Sequence, residues 1–252
     1  SRLYINDGKG NFKKSNQMPT IPNSGSCVAM HDIDNDGDLD MFVGGRLSPG
    51  LYPTTAMSYL ARNDNGRFIN VTPDWSEGLF KIGMVTDAVF EDLDNDKTKE
   101  LIIAGEWMPI TIFKWKNGKY LNVTADFGID KIKGWWETLH IADLNGDGFK
   151  DIVCGNTGLN SYFKASDAKP VTLLYKDYDN NGTLDPILCN YNGEKTYPFA
   201  MRDKMLDHSI ILKKKFLRYK QYAGATINEI YSPEQRKGES KLEANQLASV
   251  IF

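Results

Sequence analysis

The sequence predicts an all-β fold built of β-propeller blades, and three features point to it. A nine-residue acidic stretch, Asp32-Ile33-Asp34-Asn35-Asp36-Gly37-Asp38-Leu39-Asp40, returns in three further copies that begin at Asp92, Asp143 and Asp177. Each copy is bracketed by short apolar runs rich in β-formers. Hairpin signatures, alternating apolar residues around Asn-Gly or Asp-Gly turns, recur at Asn6, Asn63 and Asn117. A unit of roughly 50–60 residues with about four short strands has the size of one propeller blade.

Each element follows in order. Leu3 to Phe12, Tyr59 to Phe68 and Ile110 to Tyr120 are the three strand–turn–strand segments. Cys27–Met30 leads into the first acidic loop and Met41–Gly44 leaves it. Ala88–Phe90 and Leu101–Gly105 flank the second, Leu139–Ala142 and Ile152–Gly155 the third, Val171–Tyr175 and Pro186–Cys189 the fourth. The interval between the last two loops is short because no full hairpin intervenes. Past Asn192 the texture changes: Met205, Ile210, Leu212, Phe216 and Leu217 recur near helical spacing, which predicts one longer helix from Arg202 to about Tyr219. Thr226-Ile-Asn-Glu229 and Ser232-Pro-Glu-Gln235 fit capping boxes and predict two short helices. The expected division is 1–195 for the blades (three full repeats plus a fourth acidic loop), 196–240 for a helical insertion, and 241–252 for the start of a further strand in a truncated chain.

The acidic loops carry the chemistry. Five carboxylates on alternate positions within nine residues repel one another by roughly 1 kcal/mol per neighbouring pair at ~4 Å in water, and more near a protein surface. A hard cation removes the repulsion. Ca²⁺ accepts about 6–8 oxygens, and alternate Asp side chains supply them around a glycine that permits positive φ. The second copy, Asp92-Leu-Asp94-Asn-Asp96-Lys97-Thr98-Lys-Glu100, is worn: Lys97 replaces the glycine and Glu100 the final Asp. Lys97 must then take an unfavourable positive φ or force another turn. That site is expected to bind weakly or not at all, with Lys97 standing in as a tethered cation. An EF-hand would need flanking helices and a Glu at loop position twelve, where Val43, Ile103, Cys154 and Leu188 stand instead.

Composition excludes several classes. The formal charge is -3, with the acidity gathered in the loops, and no basic stripe accompanies Lys213–Lys215, so nucleic acid is not expected as a partner. Cys27, Cys154 and Cys189 form no CxxC pair and read as small buried strand residues. No run of about 18 apolar residues exists, so no membrane insertion is expected of this segment. His31 and His140 precede acidic loops at unrelated offsets, and with His208 they read as strand or core residues. No Ser/His/Asp arrangement or nucleophile elbow is visible. The clustered carboxylates are already assigned to calcium, so no catalytic residue is expected and the chain reads as non-enzymatic.

These residues resemble the FG-GAP/VCBS repeat family, whose calcium-loop propeller blades also form integrin α-subunit heads. The loops match its D-x-D-x-D-G-x-x-D pattern. The likeness extends to large Gram-negative surface proteins that pair such repeats with an ASPIC/UnbV segment. Its carriers are Gly44-Gly-Arg46, Pro49-Gly-Leu-Tyr52-Pro53, Gly105-Glu-Trp107-Met-Pro109, Gly134-Trp135-Trp136, Gly155–Asn160 and Arg202-Asp-Lys-Met-Leu206. No ASPIC/UnbV signature lies within these residues. The resemblance implies ligand sets from loop positions one, three, five and nine, with a carbonyl from position seven. These are Asp32, Asp34, Asp36, Asp40 and the Asp38 carbonyl; Asp143, Asn145, Asp147, Asp151 and the Phe149 carbonyl; Asp177, Asp179, Asn181, Asp185 and the Thr183 carbonyl. In the second loop, Asp92, Asp94, Asp96 and Glu100 are the corresponding candidates. It further implies placement outside the cell or on an outer-membrane surface, with the targeting signal elsewhere, and further blades from the parent protein.

A ligand face is expected where inter-blade segments converge. Arg46, Tyr52, Trp107, Trp135 and Trp136, near Glu106, Asn156 and Asn160, would suit a sugar ring, or else serve as blade-packing aromatics. The expected function is recognition of a glycan or an extracellular protein, with calcium structural. The alternatives are a polysaccharide-active, lyase-like enzyme and a purely structural spacer.

Overall fold

The computed structural model describes residues 2–21 and 24–252, with the side chains of His208 and Ile210 outside the description. Strands β1 (Leu3–Asn6) and β2 (Phe12–Ser15) pair as an isolated hairpin. β3 (Ser24–His31), β4 (Asp40–Leu47), β5 (Tyr59–Asp64) and β6 (Arg67–Asn70) form a four-stranded antiparallel blade. β7 (Met84–Glu91), β8 (Glu100–Pro109), β9 (Thr111–Lys116) and β10 (Lys119–Asn122) form the second. The acidic loop joins the first two strands of each blade, and the Asn-Gly hairpin supplies the last two.

The third sheet departs from this plan. β11 (Lys133–Ala142) and β12 (Asp151–Asn156) flank the third loop, and the partner of β12 is β17 (Val250–Ile251), from the far end of the chain. The fourth sheet runs β15 (Lys195–Pro198), β14 (Asp185–Asn192), β13 (Val171–Lys176), β16 (Ser240–Ala244). The C-terminal stretch, expected as the start of one strand, thus divides between two sheets. The architecture is a partial propeller, with no closed ring among the described residues.

Two-residue alternation explains the packing. In β8, Leu101 and Ile103 point towards the first blade and interlock with Phe42, Leu60, Val85 and Phe90. Ile102 and Ala104 point the other way, towards Trp136, Ile152 and Cys154 of the third sheet. A strand covered on both faces reads as an unbroken apolar run, as Leu101–Ala104 does. Gly134 is required here: a Cβ on it would lie 2.2 Å from Cε2 of Trp136.

The helices cap the fourth sheet. The expected long helix is broken: α1 (Arg202–His208) stops at Ser209, whose backbone is extended (φ -139°, ψ 108°), and α2 (Ile210–Lys215) restarts beyond it. The break turns both pieces onto one core, so Met205, Leu206, Leu212 and Phe216 all pack with Leu174, Ile187 and Cys189. Periodicity shows the apolar face and is silent about the kink. A further turn, Tyr219–Tyr222, follows. Both expected capping boxes form: Thr226 N donates to Glu229 Oε2 at 2.7 Å, and Ser232 N to Gln235 Oε1 at 2.9 Å. Lys213–Lys215 lie exposed at the end of α2. Cys27, Cys154 and Cys189 lie in strands as free thiols, the last two buried and pushed up to about 12 by that burial. His31 and His140 lie in β3 and β11; the His208 side chain is outside the description.

Candidate functional site

All four loops close by one backbone scheme. The first carboxylate accepts the amide of position six: Gly37 N to Asp32 Oδ2 at 3.0 Å, Lys97 N to Asp92 Oδ2 at 2.8 Å, Gly148 N to Asp143 Oδ2 at 2.9 Å, and Gly182 N to Asp177 Oδ2 at 2.8 Å. The last carboxylate accepts the amide of position two: Ile33 N to Asp40 at 2.9 Å, Leu93 N to Glu100 at 2.9 Å, Leu144 N to Asp151 at 2.8 Å, and Tyr178 N to Asp185 at 3.1 Å. Position six takes positive φ throughout, including Lys97 at 73°. For a lysine that conformation costs about 1–2 kcal/mol.

The scheme leaves the inner oxygens facing one another. Ligand-capable oxygens of Asp32, Asp34 and Asp36 lie within 4.8 Å of one another, as do those of Asp92, Asp94 and Asp96 and those of Asp177, Asp179 and Asp185. Burial, then the neighbouring Asp36, holds the Asp34 carboxyl above its ordinary value. Burial likewise raises Asp40, which is fully enclosed. In the fourth loop Asp179 Oδ1 is buried without a hydrogen-bond partner. Hard oxygen donors, crowded and incompletely satisfied, fit a calcium ion in the first and fourth loops. The third loop is more open. Its position-two residue, Leu144, is 55% exposed where Ile33 is 4% exposed, and Asn145 Nδ2 donates to Asp147 Oδ2 at 2.9 Å.

The second loop is different. The Lys114 ammonium contacts Asp94 Oδ2, Asp96 Oδ2 (2.7 Å) and Glu100 Oε1 (3.0 Å). The tethered cation expected in this loop is therefore Lys114, two strands on, rather than Lys97. The sequence carried a signal for this in the hairpin register, which no local motif exposes.

The aromatic candidates separate. Trp136 is fully buried, its Nε1 donating to Met108 O at 2.9 Å, so it is a core residue with no face for a ligand. Asn156 is also structural: its side chain accepts from Trp135 N and donates to Gln246 O and Ala248 O. Trp107, 4% exposed, stacks on Trp135 with ring centroids 4.7 Å apart. Its φ of 64° is an outlier for a bulky residue, and such strain gathers at functional sites. Arg46 of the first blade pairs with Glu106 of the second. Glu137 of the third sheet joins them: burial raises its carboxyl, Arg46 opposes the rise and Glu106 adds to it. Tyr52, 37% exposed, is raised by burial and then by Glu106.

Charges from three blades, Arg46, Glu106 and Glu137, thus influence one another, with Tyr52 feeling the first two. Sequence reasoning missed Glu137. The signal was a bulge: β3, β7 and β11 each slip register at Ser26, Thr86 and Glu137, six residues before their loops. Bulges of this kind re-aim a side chain.

A family model described as FG-GAP-like repeat matches residues 1–43 and 92–154. No curated protein matches the chain. The matched segments hold the first, second and third acidic loops. Repeats of this kind are typical of extracellular propellers and often bind calcium, in keeping with the crowded carboxylates described above. Over these two segments, the chain is similar to the FG-GAP-like repeat family.

Proposed function

We propose that this chain is a non-enzymatic, calcium-stabilised propeller segment of a cell-surface or secreted protein of a Gram-negative bacterium, and that its inter-blade face recognises a glycan or an extracellular protein. The carrying observation is the crowding of hard oxygen donors in the first and fourth loops, completed by the unpartnered Asp179 Oδ1. Calcium bound there ties two strands of a blade together, so its binding free energy becomes folding free energy. Sites with dissociation constants of roughly 10⁻⁴–10⁻³ M would fill at extracellular calcium levels. No helix among the described residues is long and apolar enough to cross a membrane.

The recognition surface is the convergence of Arg46, Tyr52, Glu106 and Glu137, with Trp107 and Trp135 beneath. Carboxylates and a guanidinium beside aromatic rings offer both acceptors and donors to sugar hydroxyls or to a polar peptide. The test is a glycan and protein screen with calcium and with EDTA. Binding is expected with calcium, falling at least tenfold for Arg46→Ala and Tyr52→Ala while their thermal midpoints stay near wild type. Wild-type affinity in both variants would remove this face from the account, and glycan cleavage in the same panel would replace recognition by catalysis.

A further inference from the structure

We infer that the second acidic loop is not a calcium site but a self-neutralised copy of one, whose cation is the ammonium of Lys114. This rests on the calcium reading of the other loops and limits it. An ammonium has three donors, and Lys114 directs its nitrogen at Asp94, Asp96 and Glu100. Those are the oxygens a metal would take, so the nitrogen and an ion exclude each other. Its side chain is 11% exposed, and Glu100 is fully buried.

The blades show why this happens in one and not the other. The registers Met41↔Ala61 and Leu101↔Phe113 make Arg62 of the first blade the counterpart of Lys114. Arg62 instead grips Asp64, with Nε to Oδ1 at 2.7 Å and Nη2 to Oδ2 at 3.0 Å. The residue two places after Lys114 is Lys116, which repels where Asp64 attracts. Glu100, a methylene longer than Asp40, reaches both Leu93 N and the ammonium. Lys97 at the glycine position leaves the loop closed, because its amide still reaches Asp92. Lys97, Glu100 and Lys114 all sit in one blade. That blade lies between the other two and shares a core with each. The loop also steadies its neighbour, since Asn95 Nδ2 donates to Gly148 O of the third loop at 2.8 Å.

The experiment compares wild type, Lys114→Met, Asp96→Asn and the double variant Lys114→Met/Asp96→Asn. Thermal midpoints are read in EDTA, and calcium equivalents by titration of the stripped proteins. In EDTA the midpoint of Lys114→Met is expected to fall by roughly 5–10 °C, with partial recovery in the double variant, which carries one carboxylate fewer. Asp96→Asn alone should bind as many calcium equivalents as wild type. A wild-type midpoint for Lys114→Met in EDTA would overturn the assignment, and so would loss of one calcium equivalent in Asp96→Asn. The second readout holds even if Lys114→Met fails to fold. A wild type that binds no calcium, with the Lys114→Met midpoint still lowered, would support Lys114 as the cation of this loop and refute the calcium reading of the others.

Discussion

Trp136→Ala is expected to lower stability by about 3–5 kcal/mol, the range for removing a large aromatic from a core. The ring is fully buried. It lies over Gly134, meets Phe252 edge-on with centroids 6.3 Å apart, and belongs to the core between the second and third sheets. Trp136→Phe keeps part of the ring but strips Met108 O of its donor, which should cost about 1–3 kcal/mol. Urea unfolding measures both. A loss below about 1 kcal/mol for Trp136→Ala, with impaired ligand binding, would return this residue to the recognition face.

The second large effect is at Asp40. One carboxylate oxygen accepts Ile33 N at 2.9 Å and the other Asn63 N at 2.8 Å, so it joins its own loop to the hairpin of the same blade. Asp40→Ala strands both amides, and each unsatisfied group costs about 1–3 kcal/mol. A loss of roughly 2–5 kcal/mol is therefore expected even in EDTA, with Asp40→Asn losing less because it retains an acceptor. Acid should act in a definite sense. Burial raises this carboxyl above its ordinary value. In EDTA its contribution is complete below the usual carboxylate range and declines as pH rises through the raised value. Calcium favours the ionised form and should cancel that decline. Denaturation curves of wild type and Asp40→Asn across this range, with and without calcium, check the sign.

Much of this was legible in the chain because the repeat is written in residues with few conformational alternatives. Asn63, Gly66, Asn117 and Gly118 mark hairpin turns, and Gly37, Gly148 and Gly182 mark the positive-φ position of a loop. Position two of the loop and the apolar exits follow from alternation. What stayed hidden depends on register between distant strands. Lys114 is an ordinary strand lysine until the pairing of β8 with β9 sets it across from Glu100. The like charge of the second loop meets the Lys114 ammonium, a partner that local spacing cannot display. Glu137 is likewise inconspicuous until the register of β11 slips at it, within the electrostatic reach of Arg46 and Glu106. Trp135 and Trp136 look alike in sequence, but alternation sends one to the inter-blade face and the other into the core. Ser209 ends a helix whose apolar period continues past it, because both pieces must lie on one sheet.

The central claim is that the first and fourth loops hold structural calcium. Its most direct test is the thermal midpoint of the EDTA-stripped protein as calcium is added back, with magnesium as control. At roughly 10 mM calcium, a site with a dissociation constant of about 10⁻⁴–10⁻³ M adds about 1.4–2.7 kcal/mol. A rise of at least about 5 °C is therefore expected with calcium, and none with magnesium, which demands a tighter octahedral cage than these loops provide. An unchanged midpoint at that calcium concentration would contradict the claim and leave the acidic loops as turns held by their own hydrogen bonds.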